Sequence, residues 1–132
     1  MPFQLDVFDK RAYRYIVATG SVESIEELLQ YGADILSIAE TSDANCILLD
    51  ERERRENLQP ADIAEFATLT LEQNIQNISL RVAVLMRELT PLIEYFDLIL
   101  QNRTVANYKM FSDVAAAESW LMNNCSPREE EG

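Results

Sequence analysis

The sequence predicts an α/β fold: a single layered domain with a mostly parallel, five-stranded mixed sheet, helices on its faces, and the N-terminal strand antiparallel to its neighbour. Three observations lead there. Short apolar and β-branched runs alternate with longer stretches of helical period in the order β-β-α-β-α-β-α-β-α. Such alternation calls for crossover connections between parallel strands. Only the first two strands are close enough in sequence to be joined by a turn, and so to run antiparallel. The chain has 132 residues, 48% of them hydrophobic and 26% charged, which suits one globular domain that needs no staples.

Phe3, Leu5 and Val7 alternate with Gln4 and Asp6 as a half-buried strand would. Asp9 and Lys10 suit a turn, and the aromatic, β-branched run 13–18 reads as the second strand. Thr19-Gly20-Ser21 is expected to end it, with Ser21 capping a helix whose inward stripe is Val22, Ile25, Leu28, Leu29, Gly32 and Leu36. Gly32 is expected at a close helix–sheet contact, because the periodicity resumes at Leu36. Residues 46–49 (Cys-Ile-Leu-Leu) form a continuous apolar run, the mark of a strand buried on both faces. The charged stretch 50–57 behind it reads as a loop.

Pro60 suits a first helical turn, with Asp62 at its positive end and Ile63, Phe66, Ala67 and Leu71 facing inward. Residues 78–86 hold the fourth strand. Thr90-Pro91 starts a third helix with Leu92, Phe96, Ile99 and Leu100 inward, closed by Asn102 and Arg103 as C-caps. A short strand at 106–111 precedes a last helix capped by Ser112 and packed through Val114, Ala117, Trp120 and Leu121. The domain is expected over 1–122, followed by a flexible acidic tail, 123–132.

Absences limit the chemistry. The chain has no histidine, which removes imidazole bases, triads and imidazole metal sites. Its three glycines, Gly20, Gly32 and Gly132, cannot spell a dinucleotide fingerprint or a P-loop. No cofactor or metal is expected, and no enzymatic activity. The net charge of −12 disfavours nucleic acid and anionic membrane as partners. Six acids and no base lie between Ser21 and Asp43, most simply as a solvated helix face. Cys46 reads as core and Cys125 as part of a polar tail, so no pairing is expected. With no apolar leader or membrane span in view, the expected setting is the reducing cytoplasm.

The strand exit Leu48-Leu49-Asp50-Glu51-Arg52-Glu53, together with Asn102-Arg103, Tyr108-Lys109-Met110-Phe111-Ser112-Asp113, Ala116-Ala117 and Trp120-Leu121, resembles the SpoIIAA-like branch of the STAS/SEC14 superfamily, a group of small bacterial proteins. The resemblance implies the fold and a regulatory, protein-binding role, with a homodimer among the expected assemblies. Its SEC14 side implies, alternatively, a small hydrophobic ligand or lipid. Two departures stand out. Thr104 replaces the family-like glycine, and the chain has no Ser or Thr from Asp50 to Phe66, where anti-sigma-factor antagonists carry a phosphorylated serine.

Ligands of open parallel sheets bind beyond the carboxyl ends of the strands. The candidate partner- or ligand-binding residues are therefore Asp50, Glu51, Arg52, Arg54 and Arg55, with Arg87 behind the fourth strand. The arginines could pair an acidic partner, and Asp50, Glu51 and Glu53 could hold a cation. The simpler expectation is a solvated segment that pairs with itself, Arg87 pairing Asp50 or Glu88.

Overall fold

The computed structural model describes residues 3–10, 12–41, 46–56, 58–59, 61–62, 65, 81–91, 94 and 107–125. The inward stripes expected at 63–71 and 92–100, the caps Asn102 and Arg103, Thr104 and the tail from 126 lie outside them.

The strands β1 (Phe3–Asp9), β2 (Arg14–Val22), β3 (Cys46–Glu56), β4 (Arg81–Leu85) and β5 (Asn107–Phe111) form one sheet in that spatial order. β1 is antiparallel to β2, and every later pairing is parallel. This is the mixed α/β sheet that the sequence predicts. The helix α1 (Ile25–Glu40) covers one face and α2 (Val114–Asn124) the other. Residues 61–62 and 65, and 91 and 94, are helical where two further helices are expected.

Alternation along the strands builds a core on each face. Ile16, Ala18, Ile47, Leu49, Val82 and Val84 pack under Leu28, Tyr31, Ile35 and Ala39 of α1. Leu48, Ala83, Leu85 and Phe111 pack under Ala117 and Leu121 of α2. The helix runs unbroken through Gly32, as the resumed periodicity implies. Its buried positions are Leu28, Tyr31, Ile35 and Ala39, which turns the stripe from the expected one and brings a tyrosine into the core.

Two caps fall later than the sequence suggests. β2 continues through Gly20, which takes a φ of 87°, a conformation glycine enters without steric cost. Ser24 is the N-cap of α1, its hydroxyl accepting from the Glu27 N–H, while the Glu27 carboxylate accepts from the Glu23 N–H. At the other end Arg14 donates to the Ile38 carbonyl and to Thr41 Oγ1, and pairs Asp9 at 2.6 Å. One guanidinium thus ties the β1–β2 hairpin to the negative end of α1. Asp113, not Ser112, caps α2, accepting from the Ala116 N–H at 2.9 Å. Both hydroxyls expected to cap lie outside the helices, because an adjacent polar residue one to three positions further on takes the cap.

The cysteines correct the sequence reading. Cys46, at the start of β3, is disulfide-bonded to Cys125, directly behind α2, across 79 residues of sequence. α2 begins beside the end of β5 and runs back across the sheet, so its last turn returns to the strand starts. Proximity in space brings a core cysteine to one in a polar sequence context. Residues 123–124, expected in the tail, belong to α2. The bridge also removes the free-thiol ground for expecting a reducing compartment. Among the described residues no helix is long and apolar enough to cross a membrane. Tyr13 adds a second tie, donating to Glu118 of α2 at 2.8 Å; burial and that carboxylate push its phenol up to about 12.

Closing so long a loop restricts the unfolded chain, by a chain-entropy estimate of about 4 kcal/mol. Reductant, or Cys125→Ser, is expected to lower unfolding stability by up to that amount in guanidinium titrations. Reductant should then have no further effect on Cys125→Ser.

Candidate functional site

The charged stretch after Leu49 is strand. β3 runs for 11 residues, to Glu56, and its charged half pairs with the continuation of β2. The pairing contains a bulge: Val17 stands opposite Asp50 and Thr19 opposite Glu53, so Glu51 and Arg52 share the single partner Ala18. A bulge interrupts the ladder and re-aims the side chains beyond it. Here the Asp50 carboxylate closes the gap, Oδ1 accepting from the Arg52 backbone N–H at 3.1 Å.

Strict alternation would put Asp50, Arg52 and Arg54 on one face. The bulge divides them. On the α2 side lie Asp50 and Arg52; on the α1 side lie Glu51 and Arg54. Two networks result, one on each face of the same strand.

On the α2 side, Asp50 is only 4% exposed. Arg52 Nε and Nη2 donate to its two carboxylate oxygens at 2.9 and 2.8 Å, and the Tyr15 hydroxyl donates to Oδ2 at 2.7 Å. Burial opposes the charge on Asp50, but the hydrogen bonds from Arg52 and Tyr15 outweigh it and hold the carboxyl below its ordinary range. The same bonds raise Arg52, and burial followed by the Asp50 carboxylate raises Tyr15. Arg87, beyond β4, donates from Nε to the Arg52 carbonyl at 2.8 Å. It joins the cluster through the backbone and pairs neither Asp50 nor Glu88, because the Asp50 oxygens are already taken by Arg52 and Tyr15.

On the α1 side, Glu51 and Arg54 pair at 3.1 Å with side chains 8% and 6% exposed, a buried ion pair. Tyr31 of α1 completes it. Its hydroxyl donates to Glu51 Oε2 at 2.5 Å, and the Arg54 guanidinium lies 4.7 Å from the centre of its ring. Phe3 of β1 packs edge-on against the same ring. Arg55 is exposed, in register with Ser21.

The structure thus brings together Asp50, Arg52 and Arg87, and separately Glu51 and Arg54; Arg55 stands apart from both. The sequence reading missed the tyrosines. Tyr15 and Tyr31 look like ordinary half-buried aromatics, and only the β2–β3 register and the packing of α1 show whose carboxylates they meet. Among the described residues no group of three or more acids or cysteines could hold a metal ion. Asp50 and Glu51 diverge across the sheet, and each oxygen set is occupied by arginine and tyrosine.

A crystal structure of an uncharacterized DUF3478-family protein with a SpoIIAA-like fold, from Shewanella loihica, is similar to this chain with a TM-score of 0.53 and 19% identity, over 91% of this chain and 94% of that one. This likeness shows the fold, which is SpoIIAA-like. No family model and no curated protein matches the sequence.

Removing one member of a buried ion pair strands the other and costs about 3–5 kcal/mol, whereas replacing both with apolar groups costs far less. Glu51→Gln and Arg54→Met are each expected to destabilise on that scale in urea titrations, and the double variant Glu51→Leu/Arg54→Met by much less than their sum. Asp50 gives a pH signature. Its carboxyl is lower in the folded than in the unfolded chain, so its stabilisation is present above the unfolded value of about 4 and is lost as pH falls through the folded value. Denaturation midpoints from pH 6 to pH 2 should fall less steeply in Asp50→Asn than in the native chain.

Proposed function

We propose that this chain is a non-catalytic interaction module that meets a protein partner through the carboxyl edge of its sheet, using Arg52, Arg55 and Arg87. The observation that carries the reading is how the charges are sorted. The acids that could have served as carboxylate catalysts or cation ligands, Asp50 and Glu51, are turned inward and occupied. Three of the four candidate arginines reach the surface: Arg52 keeps 41% of its side chain exposed despite its pair, and Arg55 and Arg87 are exposed, while Arg54 is buried against Glu51. A reacting group needs an approachable, activated atom; a docking surface needs exposed, rigidly mounted ones. Here β3 and the bulge supply the rigid mount. A segment without Ser or Thr from Asp50 to Phe66 separates this role from phosphorylation-gated partner exchange.

The test is capture of partners by in-cell cross-linking, compared between the native chain and Arg55→Ala/Arg87→Ala, with light scattering to separate self-association from a different partner. Both substitutions are at exposed positions and should leave the melting temperature within a few degrees. The expected result is at least a tenfold loss of the cross-linked species. Undiminished capture by the folded variant would overturn the assignment of the surface.

A further inference from the structure

The parallel strands end at different heights. β4 leaves its ladder with β3 at Leu85, opposite Asp50, while β3 runs on to Glu56. The Arg52 carbonyl therefore stands beyond the end of β4, and Arg87 reaches it with Nε in place of a ladder N–H. That bond fixes the guanidinium at one nitrogen. Its two terminal amino groups have no partner among the described residues. Arg52 commits Nε and Nη2 to Asp50, and its guanidinium also bears on the Tyr15 hydroxyl. Next to Arg87, the Met86 N–H donates to the Phe111 carbonyl at 2.8 Å, which sets the chain at Arg87 beside the exposed Ser112 at the end of β5.

The charge balance makes this arrangement unusual. The chain has 23 acids for 11 bases, so an exposed arginine has carboxylates in abundance. Asp50 neutralises Arg52. Arg87 makes no ion pair among the described residues, even with its sequence neighbour Glu88. Its charge is held in place by a backbone carbonyl, and no carboxylate among the described residues pairs with it.

We propose that Arg87, with Arg52 beside it, is a binding site for a single carboxylate group, an acidic side chain or chain end of the protein partner. This rests on reading the carboxyl edge as an interaction surface and names what that surface recognises. The planar guanidinium fork matches the two oxygens of a carboxylate. The surroundings select the charge. Glu53 and Glu88 are exposed nearby, and the whole chain carries −12. The pull of the guanidinium and the repulsion of the surrounding acids both grow with ligand charge, but the repulsion comes from the whole acidic surface and opposes the approach of an extended polyanion more than that of a single carboxylate.

The experiment is a solution NMR titration that follows the arginine Nε–H signals with sodium acetate, sodium chloride and inorganic phosphate as probes, at fixed ionic strength. The expected result is a saturable shift of the Arg87 signal with acetate and none with chloride. Arg87→Gln keeps an N–H donor for the Arg52 carbonyl but removes the charge. In it the acetate midpoint read at Arg52 should rise at least tenfold. Arg87→Lys, which keeps the charge without the fork, should fall in between. Equal shifts with acetate and chloride, or an unchanged midpoint in Arg87→Gln, overturn the site; saturation by phosphate below acetate overturns the carboxylate assignment. Failure here with partner capture still dependent on Arg55 and Arg87 would leave the interaction surface standing. Loss of that dependence with the acetate response intact would remove the interaction reading alone.

Discussion

A parallel sheet can carry a charged strand at its centre only if every buried charge on it finds a counter-charge, because both faces are covered by helices. β3 meets this condition through its bulge. By placing Glu51 and Arg52 against the single residue Ala18, the chain changes which face each later side chain takes. Asp50 then reaches both the Arg52 side chain and its backbone N–H, satisfying the donor that the bulge releases from the ladder. Without the shift, Arg54 would leave the face of Glu51 and Tyr31, and a buried carboxylate would lose its counter-charge.

The consequences run outward from there. On the α1 side the Glu51–Arg54 pair is anchored by Tyr31, so the helix and the strand share a polar contact beside the apolar core. Buried pairs of this kind contribute little net stability against an apolar replacement, whereas removing one partner leaves an uncompensated buried charge and is costly. On the α2 side, Tyr15, Asp50 and Arg52 form a chain of hydrogen bonds that ends at the surface, where Arg87 is held by a carbonyl. The Cys46–Cys125 bridge and the Tyr13–Glu118 contact hold α2 over this face from the far end of the sheet. β3, which carries Arg52 and Arg55, is thus tied to a helix on each face of the sheet, to α1 through Tyr31 and Glu51 and to α2 through the disulfide.

Much of the fold was legible because it rests on local periodicity. The alternation of Phe3 and Leu5 and the apolar runs at 46–49 and 82–85 report their own burial, whereas Val7, expected in the same half-buried stripe, is exposed. The inward residues Ala117 and Leu121 were legible for the same reason. The charged half of β3 was not, because a run of Asp, Glu and Arg looks solvated when read residue by residue. Its strand character comes from β2 continuing through Gly20, and its tolerance of burial comes from tyrosines 20 and 35 positions away. The candidate residues were found by their place at a strand exit. That Asp50, Glu51 and Arg54 turn inward while Arg52, Arg55 and Arg87 reach the surface was not visible, since a one-residue bulge leaves no mark in composition.

The sequence by itself determined the element order, the antiparallel start, the two-faced apolar core and the lack of imidazole chemistry, because each follows from side-chain type and short-range spacing. Tertiary structure alone decided the register of β3, the partners of Asp50 and Glu51, the bond between Cys46 and Cys125, and the exposure of Arg87. These depend on which distant segments meet. Pairing energies of that kind are set by the three-dimensional neighbour, and the amino-acid order carries them only through the fold it specifies.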